Sequence, residues 1–214
     1  METTFPLLFA AVVGFGHAFE ADHLVAVSNI VTKRDKLNLA LKDGIFWGLG
    51  HTSMIFLIGL VVILGKVAVD ETVFAWFEAL VGFMLIGLGC FRLFQFFRHR
   101  KLHRRHIDHE HHPLMDHHHH HHLAYGVGLV HGLAGSGAMI LLVMTEIQGS
   151  FNSLLYLAIF GVGSIAGMLV AAGIFSLPFS RKLHGKHGLQ SGLILLSSVL
   201  CIGYGAFVLA VNLG

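Results

Sequence analysis

Charge is scarce in this chain of 214 residues, with Asp, Glu, Lys and Arg together making up 12%. A soluble domain carries about twice that share. With 55% hydrophobic residues and a mean hydropathy of +0.73, the sequence reads instead as an integral membrane protein. Cysteine is nearly absent. Cys90 and Cys201 lie in separate apolar runs with no CxxC, which excludes a disulfide framework and a zinc ribbon; both are expected to be small buried hydrophobes. The first residues lack the basic stretch of a signal peptide, and the apolar run after them is longer than a signal peptide's core, so a retained first span is expected. Amphipathic recognition helices are missing too. The basic residues are explained by membrane topology, so no nucleic-acid partner is expected.

What is present is a series of six apolar runs, at about 5–31, 42–65, 72–97, 123–146, 151–177 and 188–212. All have helix length, and a backbone in lipid must satisfy its own hydrogen bonds, so six transmembrane helices are expected in an all-α fold. All the Lys and Arg residues except Lys66 fall in or beside alternate linkers, which the positive-inside rule makes cytoplasmic. The expectation is a multi-pass protein of the cell membrane with both termini outside.

The two halves resemble each other. Gly14-Phe15-Gly16-His17 aligns with Gly128-Leu129-Val130-His131, and Trp47-Gly48-Leu49-Gly50-His51 aligns with Phe160-Gly161-Val162-Gly163-Ser164. The third and sixth runs share Gly-x-Gly, at Gly87/Gly89 and Gly203/Gly205. Three spans per half, an odd number, require the second half to be inserted upside down. An inverted three-plus-three repeat is a transporter architecture with its substrate site near the midplane. The expected organisation is a first repeat at 1–97, a His-rich cytoplasmic loop at 98–122 and a second repeat at 123–214.

The segment Gly14-Phe15-Gly16-His17-Ala18-Phe19-Glu20-Ala21-Asp22-His23 puts two histidines and two carboxylates inside the first apolar run. A carboxylate at the centre of a spanning helix costs on the order of 2.5–3.5 kcal/mol, so these residues require partners or a bound cation. At ~1.5 Å per residue, His17, His51 and His131 all lie near mid-membrane. On a regular helix His17, Glu20 and His23 share one face, but His17 and His23 stand roughly 9 Å apart along the axis and Asp22 points aside. Either neighbouring helices complete a site on part of this face, or the helix is broken, as Gly14 and Gly16 allow. Imidazole with carboxylate and no thiolate suits nickel, cobalt, zinc or cupric ion. Asp22 and Glu20 also offer places for protons when a metal leaves.

The loop from Arg98 to His122 holds twelve of the eighteen histidines and is expected to be disordered. His117 to His122 has the form of a purification tag set in a tolerant loop; the alternative is a low-specificity metal buffer. His103, His106, His109, His111 and His112 form a metal-capturing tract in either case.

His17-x4-Asp22-His23 resembles the His-x4-Asp-His signature of the nickel/cobalt transporter (NiCoT) family and its smaller, UreH-like six-span branch. Gly50-His51-Thr52-Ser53 and Val130-His131-Gly132-Leu133-Ala134-Gly135-Ser136 are similar to elements of the same group. The resemblance implies transport of Ni2+ or Co2+, with Zn2+ possible, as cargo and no prosthetic group. It further implies His17, Asp22 and His23 as ligands with His51 contributing. Glu20 and His131 are lesser candidates by depth, and Asn29 by its place in the family pattern. The chain departs from larger members in having six spans rather than eight, Gly16 where many have Arg, and Ser28-Asn29 where they have Asp-Asn. Cytoplasmic nickel-enzyme maturation proteins are compatible partners. Efflux and an intramembrane metal-dependent hydrolase are the alternatives. A thiol-redox carrier is excluded by His17 and His131 standing where its cysteines would.

Overall fold

The computed structural model describes residues 4–31, 36–66, 70–105, 119–147, 149–179 and 187–214, which contain helices and no strand. They are α1 (Thr4–His17), α2 (Ala21–Val31), α3 (Leu37–Gly65), α4 (Glu71–Arg105), α5 (His119–Glu146), α6 (Ser150–Ser176) and α7 (His187–Leu213), with a 3-10 turn at Leu177–Phe179 after α6. Among the described residues α3, most of α4, α6 and α7 are long and apolar enough to cross a membrane. The pair α1–α2, bent by 59°, is a broken span or a re-entrant loop, and makes a fifth span if it crosses as one. The chain is thus a multi-pass membrane protein, helical without strands among its described residues.

The first apolar run is not one straight helix. It stops at His17 and restarts at Ala21, with Phe19 N–H donating to the Gly16 carbonyl (2.9 Å) and Glu20 N–H to that of His17 (3.1 Å). The second segment begins with Glu20 accepting from Leu24 N–H, and its first turn carries Asp22, an anion where the helix dipole favours one. The expectation of a disordered loop over 98–122 is overturned at both ends. Residues 98–105 continue α4, and α5 begins at His119 rather than 123. Extending an existing helix adds one hydrogen bond per residue fixed, so a polar sequence suffices there. The middle of the His-rich tract, 106–118, lies outside the described residues.

Apolar side chains gain nothing by leaving lipid for each other, so the helices associate through close-packed small residues. A Cβ at Gly14 would overlap the carbonyl of Phe160, and one at Gly163 that of Ala11, so α1 lies against α6. Gly50 and Gly128 bring α3 equally close to α5, against the carbonyls of Tyr125 and Trp47. Gly82 and Gly205 join α4 to α7. Large side chains such as Phe9, Leu57, Trp76 and Phe207 face outward, while Trp47, Phe160, Leu85 and Met168 are fully buried. Cys201 is buried as expected, but that expectation is corrected for Cys90, which is exposed, since an apolar side chain in lipid need not be covered.

Asn29 joins α2 to α7. Its Nδ2 donates to the Ser197 carbonyl (2.9 Å), and Ser198 Oγ donates to its Oδ1 (3.4 Å), all three residues being buried. Asn29→Ala is expected to cost about 1–3 kcal/mol, the penalty for stranding buried polar groups, and to leave metal stoichiometry unchanged. Thermal unfolding and equilibrium dialysis of the same sample check both halves of this expectation.

Candidate metal centre

The break after His17 turns a linear motif into a cluster. It lets the His17 ring swing back to 4.5 Å from that of His23, centroid to centroid, where a continuous helix would hold the two apart. From α3, His51 comes to 5.3 Å from His17 and 5.0 Å from His23. From α5, His131 comes to 4.3 Å from His23. His23, His51 and His131 are completely buried. Trp47, one turn before His51, closes one side, at 5.5 Å from His23 and 5.9 Å from His131.

Two ligand groups result. His17, His23 and His51 each offer a ring nitrogen, and these lie within 4.8 Å of one another. Asp22, His23 and His131 form a second such group, through a carboxylate oxygen and two ring nitrogens. The hydrogen bonds distinguish the groups. Asp22 accepts from His131 Nε2 (2.8 Å) and from His23 Nδ1 (3.0 Å), and Glu20 is 2.9 Å from His17 Nδ1. An ionised carboxylate can only accept, so these contacts set the protons on His17 Nδ1, His23 Nδ1 and His131 Nε2. The lone pairs of His17 and His23 are therefore on Nε2. Both of those atoms are buried without a protein partner, as are Nδ1 and Nε2 of His51. Each buried, unpaired polar atom costs on the order of 1–3 kcal/mol.

Three imidazoles with ring nitrogens within 4.8 Å of one another, two of them backed by carboxylates, make a donor set that fits a divalent transition metal, and Nδ1 of His131 is likewise buried without a partner. The end of α1 adds to the fit, because helix C-terminal carbonyls carry partial negative charge and favour a cation.

All the ligands expected from the sequence except Asn29 therefore meet around this point, although Asp22 and Glu20 stand behind histidines rather than beside His51. The expectation that Asp22 points aside is corrected, because the break reorients α2. Two further groups are not among the ligands expected from the sequence. Trp47 forms the wall, and Glu78 of α4 lines a cleft of about 500 Å³ that reaches His17 and Asp22. Glu78 is the single carboxylate inside the third apolar run, the signal that would have singled it out.

At the other end of α3, buried Asp43 is 2.8 Å from His121 Nδ1, and the His121 ring stacks on Phe46. The end of the histidine run is thus seated against the helical core.

Fold and site together define a multi-pass helical membrane protein with a buried cluster of four histidines and an associated carboxylate. The chain is 35% identical over 203 residues to the urease accessory protein UreH of Bacillus sp. (strain TB-90), covering 92% of this chain and 89% of that protein. It belongs to the family of that protein. No family model matches the chain, and no solved structure matches it.

Proposed function

We propose that the protein is a secondary transporter for a divalent transition metal, Ni2+ or Co2+, bound near mid-membrane by His17, His23 and His51. Asp22 and Glu20 orient two of these rings from behind, and Asp22 also holds His131. The observation that carries the reading is the gathering of three imidazoles within ligand reach of one another, with buried ring nitrogens that have no protein partner. A carboxylate behind a metal-binding imidazole fixes its tautomer and raises its basicity. The relative's name ties it to urease, a nickel enzyme, which favours nickel as the cargo and cytoplasmic nickel-enzyme maturation proteins as its recipients.

The architecture supporting this reading is six spans as an inverted repeat in the cell membrane. Helix α5 has 28 residues, about 42 Å at ~1.5 Å per residue, enough for a core ~30 Å thick. The close contacts occur in corresponding pairs. Gly14 on Phe160 matches Gly128 on Trp47, Gly163 on Ala11 matches Gly50 on Tyr125, and Gly82 on Gly205 matches Ser198 on Gly89. With the basic linkers inside, the His-rich stretch is cytoplasmic and both ends of the chain are outside.

The test is radiolabelled nickel accumulation in cells making the protein, compared with cells making none. Accumulation above control is expected. It is also expected to survive when His117 to His120 are changed to Ser with His121 kept, because His121 contacts Asp43. Cells holding less nickel than controls would instead mean efflux. A one-to-one zinc that resists chelators would turn the reading toward a hydrolase.

A further inference from the structure

The cleft that reaches the histidines has a chemistry of its own. It is lined by His17, Glu20, Asp22, Glu78, Gly135 and Tyr204 among others, drawing on α1, α2, α4, α5 and α7. Three of its lining residues are carboxylic acids, and among the described residues none is Lys or Arg. Glu20 is bonded to His17, but its side chain is still 58% exposed. Glu78 is exposed and lies six residues into the candidate span Thr72–Arg98, about 9 Å along the helix at ~1.5 Å per residue. A carboxylate at that depth, facing a cleft rather than a helix partner, is a functional candidate on physical grounds. At the inner wall stands His17, with its side chain only 9% exposed and its Nε2 buried without a partner. The acidic surface therefore leads to an unsatisfied metal donor.

We propose that this cleft is an antechamber that takes the divalent cation with its water shell intact, holding it between Glu78 and Glu20 before the ion sheds water onto the histidines. The cleft is on the end of the bundle where α4 begins and α7 finishes, which the charge pattern makes the outer end. Its size agrees with a hydrated ion. At ~30 Å³ per water, about 500 Å³ has room for an ion with six waters and several more. The histidine cluster behind it does not, since its rings are already in contact. Carboxylates acting through water select for charge and not for metal type, so discrimination is left to the imidazoles. A single-sign cleft with low-dielectric walls also concentrates counter-ions. Glu78 thus sets capture rate and half-saturation, while His51 sets whether the ion is bound dry. This inference rests on the histidine site being the ion's destination.

Hexaamminecobalt(III) separates the two, because it resembles a hydrated cation and does not exchange its ligands for imidazole. Its binding to the purified full chain is measured by equilibrium dialysis, beside the visible absorption of Co2+ bound to nitrogen ligands. In the unmodified protein both are expected. Glu78→Gln should weaken hexaamminecobalt(III) about tenfold, the low end of what a charged cleft contributes, and leave the Co2+ spectrum unchanged. His51→Leu should do the reverse. Glu78→Asp, which keeps the charge, should restore most of the binding that Gln loses. Equal hexaamminecobalt(III) binding by the unmodified and Glu78→Gln proteins overturns the antechamber. If Co2+ gives no nitrogen-ligand spectrum in any form while hexaamminecobalt(III) still depends on Glu78, the histidine site fails and the cleft stands as a cation site.

Discussion

His51→Leu is expected to abolish binding and transport of the metal while leaving the metal-free protein at least as stable as before. His51 is fully buried with both ring nitrogens unpartnered, so in the metal-free fold it contributes two unsatisfied polar atoms. Leucine has similar bulk and no polar atom, and replacing a stranded polar group by an apolar one of the same shape is near neutral or stabilising. The metal-loaded state behaves oppositely. A ligand at a hundred times its dissociation constant adds about 2.7 kcal/mol to stability, roughly 5–10 °C for a chain of this size. Thermal unfolding with and without Ni2+ should therefore show a large shift for the unmodified protein and none for His51→Leu. Asp22→Ala gives the contrast. Asp22 holds His23 and His131 from behind, so its loss should weaken binding about 10–100-fold, the usual effect of a partner behind a ligand, without abolishing the metal-dependent shift at high Ni2+. If Asp22→Ala proves as severe as His51→Leu, Asp22 is itself a ligand.

That division of roles was only partly open to sequence reasoning. Residue type and depth identified His17, His51 and His131, because a polar residue in a long apolar run is conspicuous and axial rise converts sequence position into depth. The geometry within the first span was not accessible in the same way. A regular helix puts His17 and His23 too far apart and turns Asp22 aside, and what removes the obstacle is a bend of 59°. The α1 side of the bend is fixed by remote contacts. Ser164 Oγ donates to the Gly14 carbonyl (3.1 Å), and Phe15 lies against Gly167. Glycines near the motif made a break admissible, but its position depends on α6, some 150 residues away in sequence. Glu78 is as conspicuous in its apolar run, but its place in a site is not legible there for a related reason. A lone carboxylate without a spaced partner forms no motif, and its companions Glu20 and Asp22 reach it only through the packing of α2 near α4.

The second large effect should come from residues that touch no metal. Gly14 and Gly128 each precede a cluster histidine by three positions, and each allows its helix to rest on a carbonyl of the neighbouring helix, Phe160 or Trp47. A methyl at either position meets backbone atoms, which cannot rotate away as a side chain would, so the helices must part. Overpacking of this kind typically costs 1–3 kcal/mol and occasionally more. Both substitutions are expected near or above the upper end, because it is backbone that must move. Gly128→Ala should be the worse for function. The same methyl would also crowd the backbone N of His51, and Gly132 one turn on abuts the His51 carbonyl, so α3 would be displaced where it supplies its ligand. Each has a control two residues away in the same helix. Nothing lies within 4 Å of a Cβ at Gly16 or Gly126, and alanine is favoured over glycine by about 1 kcal/mol in a helix interior such as that around Gly126, less at Gly16 beside the end of α1. Gly16→Ala and Gly126→Ala should therefore hold or slightly raise stability and retain nickel accumulation, while Gly14→Ala and Gly128→Ala lose both folded yield in detergent and accumulation. Equal behaviour within either pair would mean that the close helix approach does not set the spacing of the histidines.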